Sequence, residues 1–196
     1  MVGNDLVDLA DPEVRRGPVH PRFDSRVFTP LEREALRASP EPNRLRWMSW
    51  AAKEAAYKLL KKRDPKLAFS PARLAVALEG QLGGQVKYEG QTLCVTLQTF
   101  ADALHAVATE DAGQAARVVS AVGVTSESSD PSTAARALAA WTLAARLGVP
   151  AAAFRFGRRA RIPTLELAGL ATPVDLSLSH HGRFVAFASM LGGGAA

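Results

Sequence analysis

Glu54 lies inside "WMSWAAKEAAYKLLKK", Trp47 to Lys62, a segment whose Ala, Leu and Trp content suits a buried helix. At helical spacing Trp50, Glu54 and Lys58 share one stripe, at i, i+4 and i+8. Two chemistries are open to that stripe. An exposed Glu-to-Lys pair would be worth only ~0.3 kcal/mol. Against it, Ala51, Ala52, Ala55 and Ala56 surround Glu54, and small residues admit a close neighbour or a ligand. A second acidic feature is "GNDLVDL", where Asp5 and Asp8 interrupt an apolar strand. Period-2 alternation puts them on opposite faces, so they do not form a pair, and locally each reads as a strand-end turn acid. The third feature is "SLSHHGRF", with Ser177, Ser179, His180 and His181 between a strand and a glycine. A histidine there is either a turn residue or a donor to phosphate.

Metal spacing informs by what is missing. The sequence has no H-x-x-x-H, no cysteine pair and no D-x-D-x-D-G loop. Asp5 and Glu54 together make a poor zinc site but a sensible magnesium site, because Mg²⁺ keeps waters and completes its octahedron with substrate phosphates. With neither a P-loop nor G-x-G-x-x-G, any nucleotide has to be held by basic side chains. A net charge of +5 agrees with an anionic partner.

The elements that must position these groups read as α+β. The 196 residues suffice for one domain or two small ones. "VGNDLVDL" predicts a short strand and "PVHPRFDSRVF" a proline-punctuated loop. Thr29, Pro30 and Glu32 supply a capping box for a helix that ends before Pro40. A longer helix is expected from about Arg44 to Arg63, stopped by Asp64-Pro65. Strands follow at "ARLAVALEG", "GQVKYEGQ", "TLCVTLQTF" and "ALHAVATE". The Ser-rich stretch 125–132 reads as a linker between a first unit, 1–124, and a second, 133–196. A helix from Asp130-Pro131 to Gly148 opens the second unit, and strands at "AAFRFG", "PTLELAG", "VDLSLSHHG" and "RFVAFASML" follow it. The tail "GGGAA" is expected to fray. Helix first and strands after, in both halves, suggests an internal duplication. The acids in the N-terminal segment argue against a signal peptide, and Ala134 to Phe154 is interrupted by Arg136, Arg146 and Pro150, so no membrane span is expected. Cys94 stands alone, and the cytoplasm is the expected compartment.

Four segments together resemble the 4′-phosphopantetheinyl transferase superfamily: "GNDLVDL", "RFDSRVFTPLERE", "WAAKEAAYK" with its W-x-x-K-E-x-x-x-K pattern, and "LSLSHHGRFVAFA". The first three, in order and spacing, are similar to the holo-acyl-carrier-protein synthase branch. The resemblance implies transfer of the 4′-phosphopantetheine arm of coenzyme A to a serine of an acidic carrier protein, with release of 3′,5′-ADP. It implies Mg²⁺ on Asp5 and Glu54, Glu54 as base for the serine proton, and Lys58 on the pyrophosphate with Lys53 in support. It also implies His180, with Ser179 beside it, on a coenzyme A phosphate.

Two departures from the family pattern bear on architecture. Where some relatives carry a second carboxylate, this chain has Val7, which implies a water in that metal position. The segment from Arg136 through "RIPTLEL" to "LSLSHHG" is similar to the first half of the long, two-unit members, yet here it comes second. "RIP", Arg161 to Pro163, stands where those members have G-K-P, so Arg161 and Arg136 become expected coenzyme A contacts. The expectation is a pseudo-dimer with exchanged halves, active as a monomer; the rival is a trimer like the short members. A non-catalytic carrier-protein or coenzyme A binder is the alternative function. A nucleic-acid module is disfavoured by dispersed basic residues and few aromatics.

Overall fold

Alternation in the first strand decides the architecture. In a computed structural model of the chain, which describes residues 1–17, 20–126, 129–168 and 174–191, β1 spans Val2–Asp8. Gly3 and Val7 face a long helix, α4 (Pro42–Arg63), whereas Val2 and Leu6 face a second sheet. A Cβ on Gly3 would lie 2.1 Å from the Ala55 carbonyl oxygen, so the helix rests directly on the strand backbone. The small residues expected to permit a close neighbour do so, with Ala51, Ala52, Ala55 and Ala56 fully buried beneath it.

Between β1 and α4 lie α1 (Pro12–Arg16), α2 (Phe23–Val27) and α3 (Pro30–Ala38). The capping box of α3 forms as expected, with Glu32 and Thr29 satisfying each other's backbone N–H. α2 falls within the expected loop. Tertiary packing stabilises it, because Phe23 lies against Trp47 and Trp50 of α4 at ring separations of 5.8 and 5.5 Å. α4 ends at Asp64, as the Asp-Pro stop predicts.

After a 3-10 turn at Pro71–Arg73 come β2 (Ala75–Leu78), β3 (Gly83–Tyr88), β4 (Gln91–Phe100) and β5 (Ala103–Thr109). With β1 they form a five-stranded antiparallel sheet in the order β1-β5-β4-β3-β2. A short helix, α5 (Ala112–Ala115), leads to β6 (Val118–Val124). The sequence reading assigned no element here. β6 precedes the expected linker, yet all seven of its residues pair with β10 (Phe184–Met190) in a second sheet, β6-β10-β9, with β9 at Asp175–His181. The second sheet therefore starts at Val118, ahead of the expected boundary at 125.

α6 (Pro131–Leu147) follows, N-capped by Asp130 and ended by Gly148 in the left-handed region. A hairpin of β7 (Phe154–Arg159) and β8 (Ile162–Leu167) reaches β9 through a single bridge, Leu165 to Val174. The expected frayed tail, 192–196, lies outside the described residues. The order of elements repeats. Strand, helix and four strands make β1, α4, β2 to β5, and again β6, α6, β7 to β10. The strand order repeats too, β1-β5-β4-β3-β2 against β6-β10-β9 followed by β8-β7. The two sheets pack face to face through Val2, Leu6, Ala103 and Val107 on one side and Phe184, Ala186 and Ala188 on the other. α4 covers the outer face of the first sheet and α6 that of the second. No helix among the described residues is long and apolar enough to cross a membrane.

Candidate active site

β1 is the edge of its sheet, so alternate backbone N–H groups along it have no strand partner. Side chains of β9 supply the acceptors. The Val2 N–H donates to Asp175 Oδ2 at 2.6 Å, Asn4 N–H to Ser177 Oγ at 2.9 Å and Asp8 N–H to His181 Nδ1 at 3.1 Å. Odd-numbered residues of β9 therefore look at β1, while Leu176 and Leu178 pack towards α6.

On the opposite face of β1 the close Gly3–Ala55 approach brings α4 down beside Asp5. Lys58 Nζ donates to Asp5 Oδ1 at 2.7 Å, with both side chains largely buried. Glu54 is one turn earlier on the same stripe and makes no hydrogen bond among the described residues. Burial, and then the neighbouring Asp5 carboxylate, push its pKa up to about 7, with Lys58 offsetting part of the rise. Two carboxylates and one ammonium thus share a small, poorly hydrated space.

Beside them is a cavity of about 280 Å³. Its first wall is α4, through Tyr57, Lys58, Lys61 and Lys62; its second comes from the β7–β8 turn with Arg161, and from Ser177 on β9. Arg161 sits at φ +68°, which turns the hairpin sharply there. Lys61 donates to the Leu67 carbonyl at 2.5 Å. Lys62 bridges the Val2 carbonyl at 2.6 Å and Asp175 Oδ1 at 2.5 Å, and burial lowers its pKa.

Of the residues expected from sequence, Asp5, Glu54 and Lys58 lie together, and Lys58 shares the cavity with Arg161. Lys53 joins neither group. It is fully buried, and its three N–H donors are taken by Glu32 Oε2 (2.8 Å) and the carbonyls of Pro71 (2.9 Å) and Leu74 (2.6 Å), so it has none left for a phosphate. Ser179 is buried and accepts from Asn4 Nδ2 at 2.9 Å. His180 is exposed, lies outside the cavity lining and makes no side-chain hydrogen bond among the described residues. Arg136 lies on α6, also outside the cavity lining, and its charge acts on the cap residue Asp130. Asp8 belongs to the other face, where it is paired with Arg183 at 2.8 Å.

Sequence reasoning missed Lys61, Lys62 and Asp175. The i+3 and i+4 spacing from Lys58 was the available signal for the two lysines. No group of three or more His, Cys, Asp or Glu converges among the described residues. A divalent cation at Asp5 and Glu54 would have hard oxygen donors and would complete its shell with water and phosphate oxygens, a donor set that suits Mg²⁺.

The family model of the 4′-phosphopantetheinyl transferase superfamily matches residues 1–114, a stretch that holds Asp5, Glu54 and Lys58 but not the β7–β8 wall of the cavity. No curated protein matches the chain. With more than half its length matched, the chain belongs to the 4′-phosphopantetheinyl transferase superfamily, whose members act on coenzyme A and carrier proteins.

Proposed function

We propose that the protein transfers the 4′-phosphopantetheine group of coenzyme A to a serine of an acidic apo carrier protein in a Mg²⁺-dependent reaction. The observation that carries this reading is the basic cavity, with Lys58, Lys61, Lys62 and Arg161, joined to the Asp5–Glu54 pair through the bond from Lys58 to Asp5. Asp5 and Glu54 would hold the cation. Bound there, it supplies charge neutralisation at the pyrophosphate and at the developing leaving group. Lys58 pairs with Asp5 in the ligand-free protein and also lines the cavity, where its ammonium would bind phosphate once a cation takes its place at Asp5. Arg161 binds phosphate from the opposite wall with its planar donors.

The serine oxygen attacks the phosphorus that bears pantetheine. The new P–O bond forms as the bond to 3′,5′-ADP breaks, and the serine proton passes to Glu54, directly or through an ordered water. The basic surface around the site suits an acidic carrier.

The two units, 1–117 and 118–196, make a pseudo-dimer whose single site uses both, so the protein acts as a monomer. The test incubates the protein with Mg²⁺, coenzyme A and an apo carrier and weighs the carrier. A carrier gaining one phosphopantetheine is the expected result. Coenzyme A binding without transfer would replace the proposal with the non-catalytic reading. Sedimentation as a stable trimer would overturn the monomer.

A further inference from the structure

We infer that Asn4 is a positioning residue, which helps to set the first unit against the second so that Lys58, the partner of Asp5, and Arg161 face the same cavity. The inference rests on the functional reading above. The apolar contacts between the sheets are Val2, Val107 and Ala188 on one side of Asn4 and Leu6, Ala103, Phe184 and Ala186 on the other. Such contacts are non-directional and do not fix a register. Polar bonds do, and between those that β9 makes to the Val2 and Asp8 N–H groups lies a fully buried node. Asn4 is fully buried; its N–H donates to Ser177 Oγ at 2.9 Å and its Nδ2 to Ser179 Oγ at 2.9 Å, with His105 Nε2 at 3.0 Å from the same nitrogen.

The node is costly. Asn4 Oδ1 and His105 Nδ1 are buried without partners, and each such atom opposes folding relative to an apolar pair of similar shape. A group that carries such a cost and bonds two residues of β9 across the interface, Ser177 through its backbone and Ser179 through its side chain, acts on specificity of docking. Asp5 is the next residue along β1 and points to the other face. The register that Asn4 shares in setting on β9 is therefore the register of Asp5 and its partner Lys58 relative to the cavity wall at Ser177 and Arg161. This also explains why Ser179 is engaged with Asn4.

The test uses Asn4→Leu in the full chain, with three readouts. Thermal stability should fall modestly, because leucine leaves Ser179 Oγ and His105 Nε2 buried without the Asn4 amide. Affinity for Mn²⁺ should stay within about twofold, since Asp5 and Glu54 both belong to the first unit. Affinity for coenzyme A, which needs both walls, should weaken by about tenfold or more, the scale expected of a displacement near one ångström. Parallel loss of stability, Mn²⁺ affinity and coenzyme A affinity would make the node merely structural and overturn the proposal, as would no change in coenzyme A affinity.

A ligand-free readout separates this inference from the functional reading. Spin labels at Lys66 and Arg158, in a Cys94→Ser background, report the distance between units, and Asn4→Leu should shift or broaden it. If the wild-type chain binds no coenzyme A, the functional reading fails, while the distance measurement still decides the role of Asn4. His105→Leu serves as the second variant, with the same pattern expected; failure of both to fold would assign the node to stability and overturn the proposal.

Discussion

The two units share an order of strands and differ in almost every residue that could do chemistry. Asp5 is the fourth residue of β1; the fourth residue of β6 is Ala121. α4 carries Glu54, Lys58, Lys61 and Lys62, whereas α6 offers Arg136, Arg146 and an otherwise small or apolar surface with Trp141 exposed. The turn before β8 presents Arg161; the turn before β3 presents Leu82, 81% exposed, at the mouth of a cavity of about 640 Å³ that Glu79, Glu110 and Asp111 make acidic. One scaffold thus yields a basic cavity where the second unit's hairpin meets the lysines of α4, and an acidic one beside the first unit's hairpin. The scaffold does not select a phosphorylated ligand. A few side chains do.

The most direct way to break that contrast is to remove the acids the second unit lacks. Asp5→Asn and Glu54→Gln should each lower transfer by at least ~100-fold, since each loses a ligand or base at one cation. Circular dichroism should show an unchanged fold. Near-normal turnover of either purified variant at saturating Mg²⁺ would remove the cation from Asp5 and Glu54.

A smaller change makes the basic cavity resemble the acidic one. Arg161→Glu replaces a guanidinium on the second wall with a carboxylate, and coenzyme A affinity should weaken by roughly 30-fold, the value of a lost charge-assisted bond. Calorimetry with coenzyme A measures it. An unchanged affinity would confine phosphate binding to the lysines of α4.

How far the sequence disclosed this contrast depends on the range of the forces involved. α3, α4 and α6 were legible because caps, Asp-Pro and glycine stops act within a few residues. β6 was not. "VVSAVGV" is partly buried on both faces, between sheet partner and α6, and shows no alternation to read. Spacing placed Glu54 and Lys58 on one stripe of α4, but the bond from Lys58 to Asp5 joins residues 53 apart, and Asp5 read locally as a strand-end turn acid. Lys53 was misassigned because adjacency to Glu54 in sequence is a rotation of about 100° around a helix, which turns it towards Glu32 and α3. Spacing names the face of an element. What that face meets is decided by residues far away in sequence.

The interface between the units also has a titratable clasp. Asp8, 1% exposed, accepts two bonds from the Arg183 side chain at 2.8 Å, which hold its carboxyl at about 2, well below the usual carboxylate range. A carboxylate whose folded pKa is depressed contributes stability above its unfolded value of 3.8 and loses it as pH falls through about 2. Arg183 is half exposed, so solvent screening reduces the contribution to roughly 1 kcal/mol. Asp8→Asn should lose about that much at pH 7 and flatten the dependence of stability on pH between about 4 and 2. Denaturant titrations at several pH values measure both, and parallel curves for the two proteins would show that the clasp contributes nothing.

The smallest expected effect belongs to His180. The family resemblance aims it at a coenzyme A phosphate, while alternation along β9 places it on the face shared by Leu176 and Leu178, at the exposed end of the strand and outside the cavity lining. The cavity takes Ser177 from the other face and Leu178 from this one, and stops short of His180. If the cavity of α4 and Arg161 alone holds the phosphates, His180→Ala should change coenzyme A affinity by less than about twofold, the range of surface substitutions that touch nothing. His181→Ala is the informative partner substitution. His181 Nδ1 accepts the Asp8 N–H, so its loss should lower stability without a separate effect on coenzyme A. A tenfold weakening on His180→Ala, with His181→Ala leaving affinity intact, would extend the ligand beyond the cavity to the end of β9. The second unit would then contribute to binding through its S-H motif as well as through its hairpin.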